Sequence, residues 1–138
     1  MYPEELVKPM REDLTVVGFE ELKNSDAVDG HLKDHAGTSL LVINSVCGCA
    51  AGAARPGIKY ALQKSGKHPD NLTTVFAGVD QEATSKAREY TLPYPPSSPS
   101  IALFKDGQLI HFIERHHIEG RTAEMIGDHL VEVFQEYC

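Results

Sequence analysis

The chain has 138 residues, of which 41% are hydrophobic and 24% are charged, values that are ordinary for one globular domain. Its 13 basic and 20 acidic residues give a net charge of −7, and a field of that sign repels phosphate backbones and disfavours nucleic acid as a partner. No apolar run approaches the ~20 residues that a membrane span needs, and the acidic N-terminus lacks the apolar segment of a signal peptide, so we expect a cytoplasmic protein without a membrane partner.

The chain contains an odd number of cysteines, and two of them form a Cys-Gly-Cys motif. They are Cys47, Cys49 and Cys138. An odd number of cysteines in a chain without a secretion signal does not indicate a disulfide framework. In a reducing compartment the residues are thiols at rest, and a close pair is more often catalytic or metal-binding than structural. The pair is therefore the first candidate for chemistry.

The first 35 residues are predicted to be helical. Their apolar residues recur at helical spacing among Glu, Lys and Arg, and these are Leu14, Val17, Phe19 and Leu22. Ser25 or Asp26 is suited to cap a second helix that ends near Asp34. We therefore expect one domain over residues 1–138, with a helical extension at 1–36 and a core at 37–138.

The core is predicted to alternate between strands and helices. Short apolar runs predict strands at residues 39–43, 72–79, 100–105 and 109–113. Helices are predicted at residues 49–64, at 81–90 after a capping Asp80, and from residue 120 onward. The helical crossover makes the first two strands parallel, and Asp106-Gly107 predicts a hairpin between the last two. The predicted fold class is α/β, a four-stranded mixed sheet with helices on both faces.

The Cys-Gly-Cys motif lies between the end of the first core strand and the start of a helix. The first N–H groups of a helix lack partners and carry partial positive charge, so a thiolate there is stabilised and its pKa falls below the free value of ~8.5. We expect Cys47, which precedes the helix, to be the more exposed and attacking thiol. We expect Cys49, in the first turn, to be more buried and to resolve the intermediate. Gly48 can adopt unusual backbone angles and so permit a strained bond between them.

Two other interpretations of the cysteine pair stay open. The cysteines can be small core residues at the end of a strand. They can also bind a metal together with His116 or His117, since zinc usually takes four ligands, and the protein is then a thiol-based metal or metal-cluster binding module. Without such a role, His116 and His117 are expected to be a polar pair in a loop.

Other residues of chemical interest have weaker patterns. His31 and His35 are four residues apart on a predicted helix, a spacing that can bind zinc, but no third ligand is evident and a solvated face is favoured. Arg55 follows Cys47 by two helical turns and can reach a thiolate, although an exposed structural arginine is the favoured interpretation. Cys138 is expected to be a free or partly buried thiol.

Ser98 and Pro99 directly precede the third predicted core strand. A proline is tolerated at the first residue of a strand. If the Ser98–Pro99 bond is cis, backbone groups of Ser98 can face Cys47 and pair with an incoming extended peptide. Few bonds before proline are cis, so the residues alone favour the trans form.

The order of these features resembles the thioredoxin fold. A strand is followed by a cysteine motif at a helix start, by Pro56 within that helix, and by the run Ser-Pro-Ser-Ile-Ala-Leu-Phe-Lys-Asp-Gly from Ser98. In that fold the proline corresponding to Pro99 is cis and lies against the redox cysteines. The resemblance therefore implies a cis Ser98–Pro99 bond.

A closer resemblance is to the bacilliredoxin family. It is carried by Asn-Ser-Val-Cys-Gly-Cys-Ala-Ala-Gly at residues 44–52 and by Ala-Arg-Pro at 54–56, and it extends along the full chain. It implies a thiol–disulfide oxidoreductase that removes bacillithiol from protein mixed disulfides, and some members isomerise disulfides. The predicted site then consists of the catalytic thiols and three substrate-binding residues, which are Cys47, Cys49, Gly48, Ser98 and Pro99.

The same resemblance implies the partners and the route. The partners are S-thiolated client proteins and a low-molecular-weight thiol, with bacillithiol as co-substrate and neither a bound cofactor nor a metal. Two features depart from ordinary thioredoxins: Val46 stands where a tryptophan usually precedes the first cysteine, and the strand at residues 40–43 has no buried acid. General-base dithiol reduction is therefore disfavoured, and a route assisted by a small thiol is expected.

Overall fold

The computed structural model describes residues 2–33, 36–46 and 48–138. In these ranges the helices are α1 (Glu4–Thr15), α2 (Ser25–Leu32), α3 (Gly48–Lys64), α4 (Gln81–Tyr90), α5 (Arg115–Ile118) and α6 (Ala123–Tyr137). The strands are β1 (Glu20–Glu21), β2 (Thr38–Asn44), β3 (Asn71–Phe76), β4 (Ser100–Lys105) and β5 (Gln108–Ile113). No helix in these ranges combines the length and the apolar character that crossing a membrane requires.

The strands form one mixed sheet in the order β1-β3-β2-β4-β5. β1, β3 and β2 run parallel, whereas β4 is antiparallel to both β2 and β5. All seven residues of the central strand β2 are buried, and this explains its continuous apolar run in place of an alternating pattern. The predicted α/β class with a mixed sheet is confirmed.

The strand count was predicted wrongly, whereas the predicted helical extension is confirmed as two helices, α1 and α2, with a short strand between them. Within the described ranges the sheet has a fifth strand, β1, in which Glu20 and Glu21 lie opposite threonines of β3. α1 ends at Thr15, and the chain then turns at Gly18, whose φ is 104°. A two-residue strand is held by backbone pairing, so its side chains carry no pattern that distinguishes it from a polar loop or helix.

Two apolar layers cover the two faces of the sheet. Along β2, Leu40 and Val42 face the layer that contains α1, α3 and α6, whereas Leu41 and Ile43 face the layer that contains α2 and α4. This alternation follows from the period of two in a strand. The predicted placement of helices on both faces is confirmed, and α3, the helix that follows the motif, lies in the first layer.

α3 and α6 cross closely at two glycines. A Cβ atom on Gly57 would lie 2.8 Å from the carbonyl oxygen of Ala123, and one on Gly127 would lie 3.0 Å from the carbonyl oxygen of Gly57. The carbonyl oxygens are backbone atoms, which cannot turn aside as a side chain does, and a Cβ atom on Gly127 would in addition clash with the Tyr60 ring. The two glycines therefore set how closely the motif-bearing helix packs against α6.

Asp80 is the N-cap residue of α4, as predicted, but its side chain forms no capping hydrogen bond. Its carboxylate instead accepts hydrogen bonds from Arg11, at 2.7 Å from Nη1 and 3.2 Å from Nη2. Arg11 is buried on α1, and its pKa is raised, first by this hydrogen bond and further by the charges of Asp80, Glu21 and Glu4. The predicted N-cap residue is thus part of an ion-pair cluster that ties α1 to the start of α4.

Candidate functional site: the end of β2 and the start of α3

The Cys-Gly-Cys motif follows the C-terminal end of β2, at the start of α3. Cys47 lies outside the described residues, so its exposure and its role remain predictions. α3 begins at Gly48, whose φ is 43° and whose N–H donates to the Val46 carbonyl at 2.8 Å. A Cβ atom at this position would meet nothing within 4 Å. The positive φ, and not crowding, therefore favours glycine between the two cysteines.

Cys49 is a free thiol in the first turn of α3, and it is exposed. We expected this residue to be buried, and that expectation was wrong. The two residues that follow, Ala50 and Ala51, are the ones that turn towards the sheet and are buried. The first turn of the helix therefore presents Cys49 to solvent, where a small molecule or a protein can reach it.

Arg55 is buried, whereas an exposed arginine was predicted. Its Nη1 donates to the carbonyl oxygen of Ser45 at 2.7 Å and to Oδ1 of Asn44 at 3.1 Å. Its Nε donates to the carboxylate of Asp13 at 3.3 Å. A buried cation is stable only when it is paired and hydrogen-bonded, and Arg55 satisfies both conditions by holding the segment that connects β2 to Cys47.

Asn44 connects this segment to the N-terminal helix. Its Oδ1 accepts from the Ser45 N–H at 2.8 Å as well as from Arg55, and its Nδ2 donates to the Met10 carbonyl at 3.1 Å. Asp13, the other partner of Arg55, is also on α1. The N-terminal helix is thus attached by hydrogen bonds to the residues that directly precede the motif.

Ser98 and Pro99 lie at the same end of the sheet as the motif. The register of β2 and β4 pairs Ile43 with Ser100, so the residues that precede β4 lie beside the end of β2. The Ser98–Pro99 bond is cis, as the resemblance implied. Pro99 is buried and Ser98 is half-buried. The structure therefore places two of the three predicted substrate-binding residues, Ser98 and Pro99, at the end of the sheet where α3 begins.

Arg115 is a further residue of this edge. Its Nη1 donates to the Ser98 carbonyl at 2.8 Å, its backbone N–H donates to Ser97 Oγ at 3.3 Å, and its Nε pairs with Glu119 at 2.9 Å. The sequence around it has no distinctive motif. The antiparallel pairing of β4 with β5, which places Ile113 opposite Ile101, is the signal that could have placed Arg115 near Ser98.

The histidine predictions have mixed outcomes. His31 uses both ring nitrogens, since Nδ1 is 2.9 Å from the Ala27 carbonyl and Nε2 is 3.0 Å from the Glu20 carboxylate. His35, its proposed partner, lies outside the described residues. His116 and His117 were predicted to lie in a loop, and this was wrong, since both residues are in the short helix α5.

Within the described ranges, one group of three ligand-type side chains lies close enough to share an ion, and it consists of Glu114, His116 and His117. Cys49 does not belong to it. The Nδ1 atom of His117 accepts a hydrogen bond from the Glu114 N–H at 3.1 Å, so the proton of its neutral ring is on Nε2. With both nitrogens engaged in this way, His117 offers no lone pair to a metal.

Cys138 lies at the opposite end of the sheet from the motif. Its thiol lies near Thr38, the first residue of β2, and partial burial of the thiol raises its pKa. The motif follows Asn44 at the other end of this strand, about 20 Å away at 3.3 Å per residue. Cys138 is a free thiol, as predicted, and it is too distant to pair with Cys49 within one chain.

The comparisons with known proteins agree on the family. The family model described as disulphide isomerase matches residues 2–138. A bacilliredoxin of Cytophaga hutchinsonii is 63% identical over 136 residues, covering 99% of both chains. A bacilliredoxin of Bacillus cereus is 50% identical over 137 residues, covering 99% of this chain and 95% of the relative.

Solved structures with a similar fold include thioredoxins. The thioredoxin of Malassezia sympodialis aligns with a TM-score of 0.57 at 14% identity, covering 87% of this chain and 90% of its own. Mitochondrial thioredoxin 3 of Saccharomyces cerevisiae aligns with a TM-score of 0.58 at 17% identity. The alignment covers 90% of this chain and 98% of the thioredoxin chain. The fold is therefore thioredoxin-like, and the full-length sequence match shows that the chain belongs to the bacilliredoxin family of thiol–disulfide oxidoreductases.

Proposed function

We propose that this chain removes bacillithiol from protein mixed disulfides through Cys47 and Cys49. The observation that carries the proposal is the exposed thiol of Cys49 in the first turn of α3, at the sheet edge that also holds the cis Ser98–Pro99 bond. A helix start favours a thiolate, and an exposed edge admits a mixed disulfide. Cys47 directly precedes α3 in the sequence, and we propose that it uses the same helix end.

In the first step the Cys47 thiolate attacks the bacillithiol sulfur of the mixed disulfide. A bond forms between Cys47 Sγ and that sulfur, the bond to the client sulfur breaks, and the client leaves as a thiolate that takes a proton from water. In the second step Cys49 can attack Cys47 Sγ, which forms a Cys47–Cys49 disulfide and releases bacillithiol as a thiolate; a further thiol must then reduce that disulfide. Alternatively, a free low-molecular-weight thiol attacks the bacillithiol sulfur of the adduct, which forms a mixed disulfide between the small thiol and bacillithiol and releases the Cys47 thiolate.

The surroundings of the motif support the route assisted by a small thiol. The guanidinium of Arg55 is buried beside the end of β2, where it hydrogen-bonds Ser45 two residues before Cys47. A guanidinium stays protonated and cannot act as a general base, but its charge favours a nearby thiolate. Exposed Cys49 also leaves the second step open to an external thiol.

Disulfide isomerisation is a second activity that the same chemistry allows. The family model is described as disulphide isomerase. Here the Cys47 thiolate would attack a client disulfide, and a client thiol would later displace it, so that no net oxidation occurs. We propose this as a second activity of the same site.

The test measures release of bacillithiol from a client protein modified on a single cysteine. Cys47→Ala should reduce release to the rate of uncatalysed thiol exchange, because the attacking sulfur is gone. Cys49→Ala should retain release when a small thiol is added, and intact mass should show bacillithiol on Cys47. Cys138→Ala is the matched control and should behave as the unmodified chain, since Cys138 is at the far end of the sheet. Undiminished release by Cys47→Ala would refute the assignment.

A further inference from the structure

A cavity of about 250 Å³ lies between β5, α5 and α6, away from the cysteine motif. Its polar lining comes from His111 on β5, His117 on α5, His129 on α6 and Arg121 just before α6. None of the lining residues in the described part of the chain is acidic, although the protein has 20 acidic residues and a net charge of −7. The polar lining of the cavity thus consists of one cation, Arg121, and three histidines, within an acidic protein.

Two of the histidines, His111 and His129, are hydrogen-bonded to each other. The Nε2 atoms of His111 and His129 are 3.1 Å apart, a hydrogen bond in which one nitrogen donates and the other accepts. Burial lowers the pKa of His111, and the neighbouring charges of His129 and His117 lower it further, whereas Glu136 on α6 raises it. Protonation of His111 is therefore disfavoured in this cavity, and a bound anion would supply the negative charge that favours it.

The side chain of Arg121 has no partner among the residues that the structure describes. Its side chain is exposed and forms no hydrogen bond or ion pair with any residue in the ranges 2–33, 36–46 and 48–138. By contrast, Arg11 and Arg115 each pair with a carboxylate. A guanidinium has five N–H donors in a planar fork that matches a carboxylate, and all five of these donors are available in Arg121.

His117 is a second fixed donor and argues against a metal in this cavity. Its Nδ1 accepts from the Glu114 N–H at 3.1 Å, so its Nε2 carries a proton. A metal would require an unprotonated nitrogen there. His111 and His129 alone would give two ligands, fewer than the usual three or four of a protein zinc site.

The remaining walls are apolar. Phe112 and Ile126 contribute to them, and this low-dielectric surface strengthens the interaction of an anion with Arg121. The volume is below the roughly 300–1,000 Å³ of sites for drug-sized ligands. The walls also suit a short hydrocarbon segment, which an inorganic anion lacks.

We propose that this cavity binds a small organic acid, with a carboxylate held by Arg121 and His117 and its hydrocarbon segment against the apolar wall. The His111–His129 pair provides one further N–H donor. The site is separate from the thiol chemistry proposed above, so either proposal can fail without the other.

The test is a titration of the full chain followed by ¹H–¹⁵N NMR, with glutarate, its neutral analogue glutaramide, and inorganic phosphate as probes. Glutarate should bind saturably and shift amides of β5, α5 and α6, phosphate should bind more weakly, and glutaramide should not bind. Arg121→Gln should weaken glutarate binding about tenfold or more, the value of one hydrogen bond to a charged group. Lys23→Gln removes an exposed cation elsewhere and should leave the affinity unchanged.

Three outcomes would overturn the proposal. The first is the absence of saturable glutarate binding, or an equal effect of Arg121→Gln and Lys23→Gln. The second is phosphate binding more tightly than glutarate, which would show that the apolar wall contributes nothing. The third is stoichiometric Zn²⁺ binding that is tighter than glutarate binding and is lost in His129→Gln, which would make the cavity a metal site.

Discussion

Arg55→Met should destabilise the protein by more than any exposed charge substitution. The change removes a charged donor from the Ser45 carbonyl at 2.7 Å and from Asn44 Oδ1 at 3.1 Å, and hydrogen bonds to charged groups contribute about 1.5–3 kcal/mol each. Asn44 Oδ1 keeps its bond from the Ser45 N–H, so the full value of two bonds is not lost. We expect a decrease of about 2–3 kcal/mol in the free energy of unfolding.

The assay is thermal unfolding by circular dichroism. For 138 residues, 1 kcal/mol corresponds to about 3.5 °C in Tm, so Arg55→Met should lower Tm by roughly 7–10 °C. Asp13→Asn is the matched control, because Asp13 is the half-exposed ion-pair partner of Arg55, and a pair of that kind is worth about 1 kcal/mol or less. Arg55→Lys should fall between the two, since an ammonium keeps the charge without the planar fork. Equal Tm values for Arg55→Met and Asp13→Asn would refute the reasoning.

Three further predictions concern the glycines and His111. Gly57→Ala should lower the free energy of unfolding by about 2–3 kcal/mol, because its Cβ would lie 2.8 Å from a backbone oxygen of α6; Gly52→Ala on the same helix, where the space is open, should have no such effect in urea unfolding. Gly48→Ala should cost about 1–2 kcal/mol through its φ of 43° alone, and a loss above that range would indicate a contact. The lowered pKa of His111 means that the unfolded state binds the extra proton first as pH falls below the ordinary 6.5, so this residue makes the protein less stable in mild acid. His111→Gln should therefore reduce the loss of Tm between about pH 7.5 and 5.5, and an unchanged pH dependence would contradict this.

The core strands could be predicted because a strand that is buried on both faces appears in the sequence as a short continuous run of apolar residues. β4 was predicted with its observed bounds, Ser100–Lys105, and β2 differs from its prediction by one residue at each end. β1 could not be predicted, since its pairing with β3 uses backbone groups and its side chains are two glutamates. Sequence patterns therefore locate the elements that contribute to the core better than those that complete an edge.

The site was predicted in outline but not in its supporting contacts. The position of the motif at a helix start follows from the order of the neighbouring predicted strand and helix along the sequence. The structure agrees, since it has Cys49 in the first turn of α3. The burial of Arg55 does not follow from local order, because cations are usually solvated and its acceptors are backbone and amide groups of another segment. The exposure of Cys49 was missed for a related reason, since it depends on which side of the first turn faces the sheet.

The position of Cys138 determines how two copies of the chain could be joined. A disulfide between the Cys138 residues of two molecules would connect them through the ends of their sheets that are remote from the Cys-Gly-Cys motif. Both motifs would then point outward. Oxidised samples that migrate as dimers on a non-reducing gel should therefore keep their motifs open to clients, and the same thiol offers an attachment point for a fluorophore or a solid support.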